Sequence, residues 1–135
     1  MSEHPPAFPV TPIAAADLQA LLEGGAKGIR LLDTRMRADY ERGHIPGSLH
    51  CPVHELSRRE KELPPRSETM VVVGDAGSRG RAGGVFLLMA GYGNVLLLEG
   101  GFPAWEGAVE AGPGLPLSSA HPPKPPGWVD PPRMP

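Results

Sequence analysis

The sequence predicts an α/β domain with a mostly parallel central sheet flanked by helices, which is a three-layer arrangement. Two observations predict this class. Short apolar runs alternate with segments of helical spacing, a pattern typical of parallel strands joined by crossover helices. The run Thr69–Val73 is apolar and β-branched enough for the centre of a sheet, and a glycine-rich loop begins directly after it at Gly74. Since ligands of such sheets bind beyond the carboxyl ends of the strands, this loop is the expected site.

The N-terminal elements are predicted from proline, glycine and apolar spacing. Phe8–Val10 is predicted to be a short edge strand, because its proline disfavours a central position. Thr11 then serves as N-cap of a helix with Pro12 at its first position, and two glycines after Glu23 end that helix. Ile29–Asp33 is short and mostly apolar, and it is predicted to be the next strand.

The remaining elements are predicted from the same signals, and glycines end the helical runs that stop at Arg42 and Ala90. In chain order they are a helix over Arg37–Arg42, a strand over Ser48–Val53, a helix over His54–Lys61, the central strand Thr69–Val73, a buried helix over Gly80–Ala90, a strand over Val95–Leu98 and a short helix around Pro103–Val109.

Length, charge and cysteine content limit the classes of function. The 135 residues support one domain, and a net charge of -2 argues against a nucleic-acid partner. No apolar run approaches the length of a membrane span, and the first residues lack the pattern of a signal peptide. The lone cysteine excludes an internal disulfide and fits a reducing compartment. We therefore expect a soluble cytoplasmic protein without a membrane or nucleic-acid partner; its oligomeric state is left open.

Proline divides the chain into three parts. Half of the 18 prolines lie after Glu110, so we assign residues 1–8 to an N-terminal extension, 9–111 to the domain and 112–135 to a proline-rich tail. The tail cannot form a helix or a central strand. It is predicted to be extended or disordered. Two alternatives stay open. The tail could be an extended arm that lies on the domain or on a neighbouring molecule and is anchored by Trp128 and Val129. It could also be a proline-rich ligand of aromatic grooves, although the tail contains no clean repeat that supports this.

Four separated motifs resemble those of the single-domain rhodaneses, a sulfurtransferase family, and they occur in that family's order. They are Leu32-Asp33-Thr34-Arg35, Tyr40-Glu41-Arg42-Gly43-His44-Ile45-Pro46-Gly47-Ser48, the loop Gly74-Asp75-Ala76-Gly77-Ser78-Arg79, and Leu98-Glu99-Gly100-Gly101-Phe102-Pro103-Ala104-Trp105. The similarity covers roughly Pro9 to Ala111. It implies a rhodanese-like domain without a bound cofactor.

The loop departs from the family pattern at its two most important positions. The resemblance places the catalytic cysteine at Gly74 and the following arginine at Asp75. The resemblance implies the chemistry of a rhodanese. In that family the loop thiolate takes sulfur from a donor such as thiosulfate and passes it to cyanide or another thiol. Only a thiolate is nucleophilic enough for this step, and glycine has no side chain to carry sulfur. Asp75 would also repel anionic donors.

Several loop and motif residues remain candidates for binding. The loop Gly74-Asp75-Ala76-Gly77-Ser78-Arg79 can aim backbone N–H groups at one point and so form an anion cradle. Asp33 and Arg35 are interpreted as a polar pair that ties loops together, with Arg35 as pocket wall as the alternative. His44 is interpreted as a hydrogen-bonded turn residue rather than a catalytic base. Trp105 is predicted to lie in the core or the pocket wall.

Cys51 is interpreted as a small buried apolar residue rather than a substitute nucleophile. A metal site formed by His50, Cys51 and His54 is not predicted, because neighbouring positions on a strand and loop rarely converge on one ion. The expected function is therefore a catalytically inactive rhodanese-like domain that binds a small anion, a sulfur species or a protein partner. The alternatives are a sulfurtransferase that uses another thiol, or an active enzyme whose cysteine has been replaced by Gly74.

Overall fold

The structure is a computed structural model that describes residues 10–76, 79–114 and 117, with the side chain of Arg79 excepted. Five strands form one sheet in which every neighbouring pair is parallel. The strands are β1 (Thr11–Ile13), β2 (Ile29–Asp33), β3 (Leu49–His50), β4 (Thr69–Val73) and β5 (Val95–Leu98), in the spatial order β1-β5-β4-β2-β3. The helices are α1 (Ala15–Glu23), α2 (Arg37–Arg42) and α3 (Arg79–Met89), with 3-10 turns at Val53–Glu55, Glu60–Glu62 and Phe102–Ala104.

Helices cover both faces of the sheet, so the predicted three-layer α/β class is confirmed. Successive residues of β4 alternate between the two apolar clusters, as the period of two along a strand requires. Met70 and Val72 face the cluster that holds Leu87 of α3. Val71 and Val73 face the cluster that holds Leu18 of α1. Burial on both faces explains why this strand is a continuous apolar run.

Five predicted elements are confirmed with at most a one-residue difference in their bounds: β2, α2, β4, α3 and β5. β4 and β5 are almost entirely apolar, β2 is mostly apolar, and α2 ends before Gly43 as predicted. In these elements the local sequence alone indicates the secondary structure, and contacts with distant parts of the chain do not change it.

The predicted first strand is wrong, whereas the predicted helix is present and ends before Gly24 as expected but begins later than predicted. The strand is Thr11–Ile13 rather than Phe8–Val10, and Val10 lies outside it; Phe8 and Pro9 fall outside the described residues. The helix begins at Ala15, so Thr11 does not cap it and Pro12 lies in the strand. Pro12 is tolerated because β1 is an edge strand that pairs only with β5. That pairing sets Ile13 opposite Leu98 and outweighs the local helix-start signal.

The segment between β3 and β4 also differs from its prediction. The strand predicted over Ser48–Val53 is only Leu49–His50, because Pro52 has no N–H to continue the ladder. The helix predicted over His54–Lys61 is replaced by the two 3-10 turns. Burial of Leu56 and Leu63 against the sheet, at 1% and 3% exposure, decides this path in place of a regular helix.

The helix predicted around Pro103–Val109 is reduced to the single turn Phe102–Ala104. Trp105 is already extended, and its indole Nε1 donates to the carbonyl of Ala108 at 2.9 Å. The chain therefore folds back over the indole ring. Gly107 permits this, since a Cβ there would lie 2.5 Å from the ring.

The first residues of the predicted tail pack against the domain. Gly114 lies directly against the Tyr40 ring, and Leu117 is 2% exposed within the α3-side cluster. The other residues beyond 114, and residues 1–8, fall outside the described residues. Among the residues described, no helix has the length and apolar character needed to cross a membrane.

Candidate functional site

The candidate site lies where the carboxyl ends of β4, β2 and β5 meet at the centre of the sheet. Because these strands are parallel neighbours, the residues that follow them come together at one edge. The amide of Thr34, after β2, donates to the carbonyl of Val73 at 3.0 Å. The amide of Phe102, after β5, donates to the carbonyl of Gly74 at 2.7 Å. Backbone hydrogen bonds thus join the loop motif to the motif after β5, and the segment after β2 to the last residue of β4.

The loop begins, as the motif predicts, immediately after β4. Gly74 is buried, Asp75 is half-buried and Ala76 is exposed. Gly77, Ser78 and the side chain of Arg79 fall outside the described residues, while the backbone of Arg79 starts α3. The loop therefore leads into the N-terminus of an eleven-residue helix, the end at which partial positive charge favours anions.

Gly101 forms the floor beneath this loop. Its φ of +67° lies in the left-handed region, and a Cβ at this position would lie 2.5 Å from the carbonyl oxygen of Gly74. It would also overlap with the carbonyl of Asp75. Only glycine allows the segment after β5 to approach the loop this closely.

Asp33 and Arg35 form a buried ion pair beside the loop. The Arg35 guanidinium donates to the Asp33 carboxylate, with Nη2 at 2.8 Å from Oδ2 and Nε at 3.0 Å from Oδ1. Its Nη2 also donates to the carbonyl of Gly43 at 2.7 Å, and its Cζ lies 4.0 Å from the centre of the Phe102 ring. These contacts connect the segments after β2, α2 and β5, as expected for a pair that ties loops together.

Arg35 also lines a cavity of about 350 Å³ at this end of the sheet. The other lining residues are Asp39, Arg42, Gly43, Phe102 and Val109. The Arg42 side chain is largely exposed and contacts Asp39 at 3.4 Å. Arg35 therefore contacts three segments and also lines this cavity. The stacking of Phe102 on Arg35 has no signal in the local sequence.

His44 lies away from the loop and is completely buried. Its Nδ1 donates to the carbonyl of Tyr40 at 2.8 Å, its Nε2 lies 3.1 Å from Glu110 Oε1, and its ring stacks on Tyr40 with centroids 3.9 Å apart. The backbones of His44 and Glu110 also exchange two hydrogen bonds. These contacts agree with a hydrogen-bonded turn residue. Glu110 could not be foreseen, because it is distant in sequence and carries no motif.

Trp105 faces α1 rather than the loop. It is half-buried and lines a groove together with residues of α1 and the Ile45-Pro46 turn. Its ring packs against the apolar cluster on the α1 side of the sheet. The motif that contains Trp105 thus contributes to two different places: Phe102 beneath Arg35, and Trp105 in the groove.

Cys51 is completely buried among apolar side chains. Burial raises the pKa of its thiol to about 11, which keeps the group protonated at neutral pH. The neighbouring His50 donates from Nε2 to the carbonyl of Arg35 at 2.7 Å, whereas the His54 side chain is largely exposed. Within the described ranges, no group of three His, Cys, Asp or Glu side chains could hold a metal ion.

The buried thiol predicts a specific pH dependence of stability. The unfolded chain releases the thiol proton near its ordinary pKa of 9, while the folded protein retains it up to about 11. The unfolded state therefore binds fewer protons in this interval, and the free energy of unfolding falls as the pH rises through it. Two pKa units correspond to an upper limit of about 2–3 kcal/mol.

Urea unfolding of wild type and Cys51→Ala between pH 8 and pH 11 measures this effect. We expect the advantage of wild type over the variant to shrink across the interval. The difference between the two proteins removes the contribution of Tyr40 and Tyr92, whose pKa values burial also raises. A constant difference from pH 8 to pH 11 would contradict a thiol that stays protonated in the fold.

Comparison with known proteins agrees with this geometry. A model of the rhodanese-like domain matches residues 14–108. The chain is 35% identical over 77 residues to a sulfurtransferase of Allochromatium vinosum, covering 57% of this chain and 71% of that protein. It is 34% identical over 89 residues to the thiosulfate sulfurtransferase GlpE of Pseudomonas syringae pv. syringae, covering 64% and 78% respectively.

A solved structure shows the same architecture. The rhodanese-like domain of the Alr3790 protein from Anabaena sp. superposes with a TM-score of 0.64 at 30% identity, over 91% of this chain and 92% of that domain. The family match thus extends over residues 14–108, well beyond the four short motifs. On the match of the family, the parallel sheet and the loop at its centre, this chain belongs to the rhodanese-like domain family.

Proposed function

We propose that this protein is a rhodanese-like domain that performs no sulfur transfer of its own and binds a small anion or a protein partner at the loop. The observation that carries the proposal is the location of the only thiol. Cys51 is completely buried with a pKa raised by burial, and the first loop position is Gly74. Sulfur transfer needs an accessible thiolate at the loop, and neither residue supplies one.

The surroundings of the loop support anion binding. The loop leads into the N-terminus of α3, where backbone N–H groups point outward. Arg35 and Arg42 line the neighbouring cavity, although Asp33 and Asp39 each pair with one of them. Asp75 adds a further carboxylate at the loop itself, so affinity for an anion is expected to be lower than with arginine at this position.

A second candidate is favoured by the relatives named above, two of which are called sulfurtransferases. If Gly74 stands where an otherwise intact enzyme had a cysteine, the remaining pocket would still accept a sulfur donor. A sulfurtransferase that acts through Cys51 would instead need that residue to become exposed. Each of these two alternatives predicts a different result from the inactive domain when the protein is treated with a sulfur donor.

Intact mass after treatment with thiosulfate tests the proposal. We expect the mass of wild type to stay unchanged, because no thiolate is available to accept sulfur. We expect Gly74→Cys to gain one sulfur atom that cyanide removes, and the Gly74→Cys/Asp75→Arg variant to gain it faster, because the carboxylate no longer repels the donor.

The controls separate the candidates. A cyanide-reversible gain in wild type that Cys51→Ser abolishes would contradict the proposal and assign the activity to Cys51. An inert Gly74→Cys/Asp75→Arg variant that is folded would show that the pocket has diverged beyond this one position, which argues against a replaced cysteine. Circular dichroism on each variant establishes that it is folded.

A further inference from the structure

An apolar groove lies on the α1 face of the sheet, away from the loop. Its volume is about 210 Å³, and its floor is formed by Leu22 of α1, by Ile45 and Pro46, and by the indole of Trp105. Gln19, Glu23 and Ala108 complete the lining. An aromatic ring beside a proline and aliphatic side chains is the kind of surface on which proline-rich segments dock.

The groove has one charged side chain in its described lining, the carboxylate of Glu23. Glu23, the last residue of α1, accepts a hydrogen bond from Gln19 Nε2 at 3.1 Å. Among the described residues no basic side chain forms an ion pair with Glu23, and no basic side chain lines the groove. The groove therefore fits an apolar segment that carries a positive charge.

We propose that the groove binds the chain's own segment His121–Val129, with its prolines and Trp128 on the apolar floor and Lys124 at Glu23. The segment reads His-Pro-Pro-Lys-Pro-Pro-Gly-Trp-Val, so a lysine is set between two pairs of prolines. Prolines lose little conformational entropy on binding, because their φ is already fixed. Lys124 supplies a positive charge, which would pair with the carboxylate of Glu23.

The reach of the segment is set by Leu117, the last described residue before it, which lies on the α3 side of the sheet. Leu117 is buried in the same apolar cluster as Leu49, which anchors the chain seven residues before Lys124. An extended stretch of that length spans about 25 Å. Attachment to the same chain also raises the effective concentration of the segment at the groove.

A nitroxide spin label on the full chain tests this placement. Asp130→Cys puts one label just beyond Trp128, and the burial of Cys51 keeps the native thiol unlabelled, which intact mass checks. We expect the amide NMR signals of Leu22 and Ala108 to lose intensity through proximity to the label. The amide of Lys61, on the opposite side of the sheet, serves as the reference and should keep its intensity.

Charge reversal makes the test specific for the proposed contact. Glu23→Lys and Lys124→Glu should each restore the Leu22 signal, and the double variant should lose it again. Glu60→Lys is the matched control, because it reverses the charge of a side chain beside the cavity at Tyr92, away from the groove. It should leave the intensity of the Leu22 signal as it is in the labelled protein without this change. A Leu22 signal that is unaffected by the label would overturn the proposal. So would an equal loss when labelled unenriched protein is mixed with unlabelled enriched protein, because the occupant would then be the segment of a second copy.

Discussion

Gly101→Ala is expected to lower the free energy of unfolding by about 3–5 kcal/mol, from overpacking and from the left-handed backbone together. The new Cβ would lie 2.5 Å from the Gly74 carbonyl oxygen and would overlap with the Asp75 carbonyl. These are backbone atoms, so the crowding cannot be relieved by rotating a side chain. Either the loop or the segment after β5 must move, which would break the hydrogen bond from Phe102 to Gly74.

Gly25→Ala is the matched control for this prediction. Gly25 has nearly the same backbone angle, with φ of +73°, but a Cβ there would meet no atom within 4 Å. We expect it to cost about 1 kcal/mol from the backbone conformation alone. Urea unfolding followed by circular dichroism measures both variants. Equal losses of unfolding free energy in the two variants would mean that the loop can move away from the new Cβ at little cost. Close approach of the two segments would then not be the reason for glycine at position 101.

Asp33→Asn is expected to cost about 3–5 kcal/mol, which is typical of breaking a buried ion pair by removing one charge. Asp33 is completely buried and Arg35 is 6% exposed, so the guanidinium would keep its charge without a carboxylate to balance it. The amide would also place an N–H group against the donors of Arg35, where only an acceptor can bond. The measurement is urea unfolding at neutral pH.

An exposed pair provides the comparison. Glu41→Gln breaks the contact between Arg37 and Glu41, whose side chains are 66% and 42% exposed, and we expect a change of at most about 0.5 kcal/mol. The Asp33→Asn/Arg35→Met variant should recover part of the loss, because no unbalanced charge remains buried. An Asp33→Asn protein as stable as Glu41→Gln would show that the buried pair does not hold these segments together.

The central elements could be predicted because their local sequence and their final environment agree. Thr69–Val73 and Val95–Leu98 are apolar without interruption, and both lie inside the sheet, where burial on two faces demands that composition. The edge of the sheet is different. Thr11 and Pro12 have the local chemistry of a helix start, yet pairing with a strand far along the chain places them in β1. Tertiary contact overrides propensity where the local signal is weak.

The site was predictable in position but not in its contacts. The motif around Asp33 and Arg35 and the loop at Gly74 fall where the sequence indicated, because each directly follows a strand of the parallel sheet. Phe102 beneath Arg35 and Glu110 beside His44 could not be foreseen. Both contacts join residues separated by many positions, and packing of whole elements decides which side chains meet.

The order of the strands has a consequence for synthesis of the chain. Of the five strands in the described part of the chain, β1 is synthesised first, yet its single neighbour in the sheet is β5, which is synthesised last of the five. Thr11 meets Leu96 only when nearly the whole domain is available, so the nascent chain cannot close this edge early. Until then the unpaired edge of β5 and the apolar face of α1 stay exposed, and such surfaces favour aggregation.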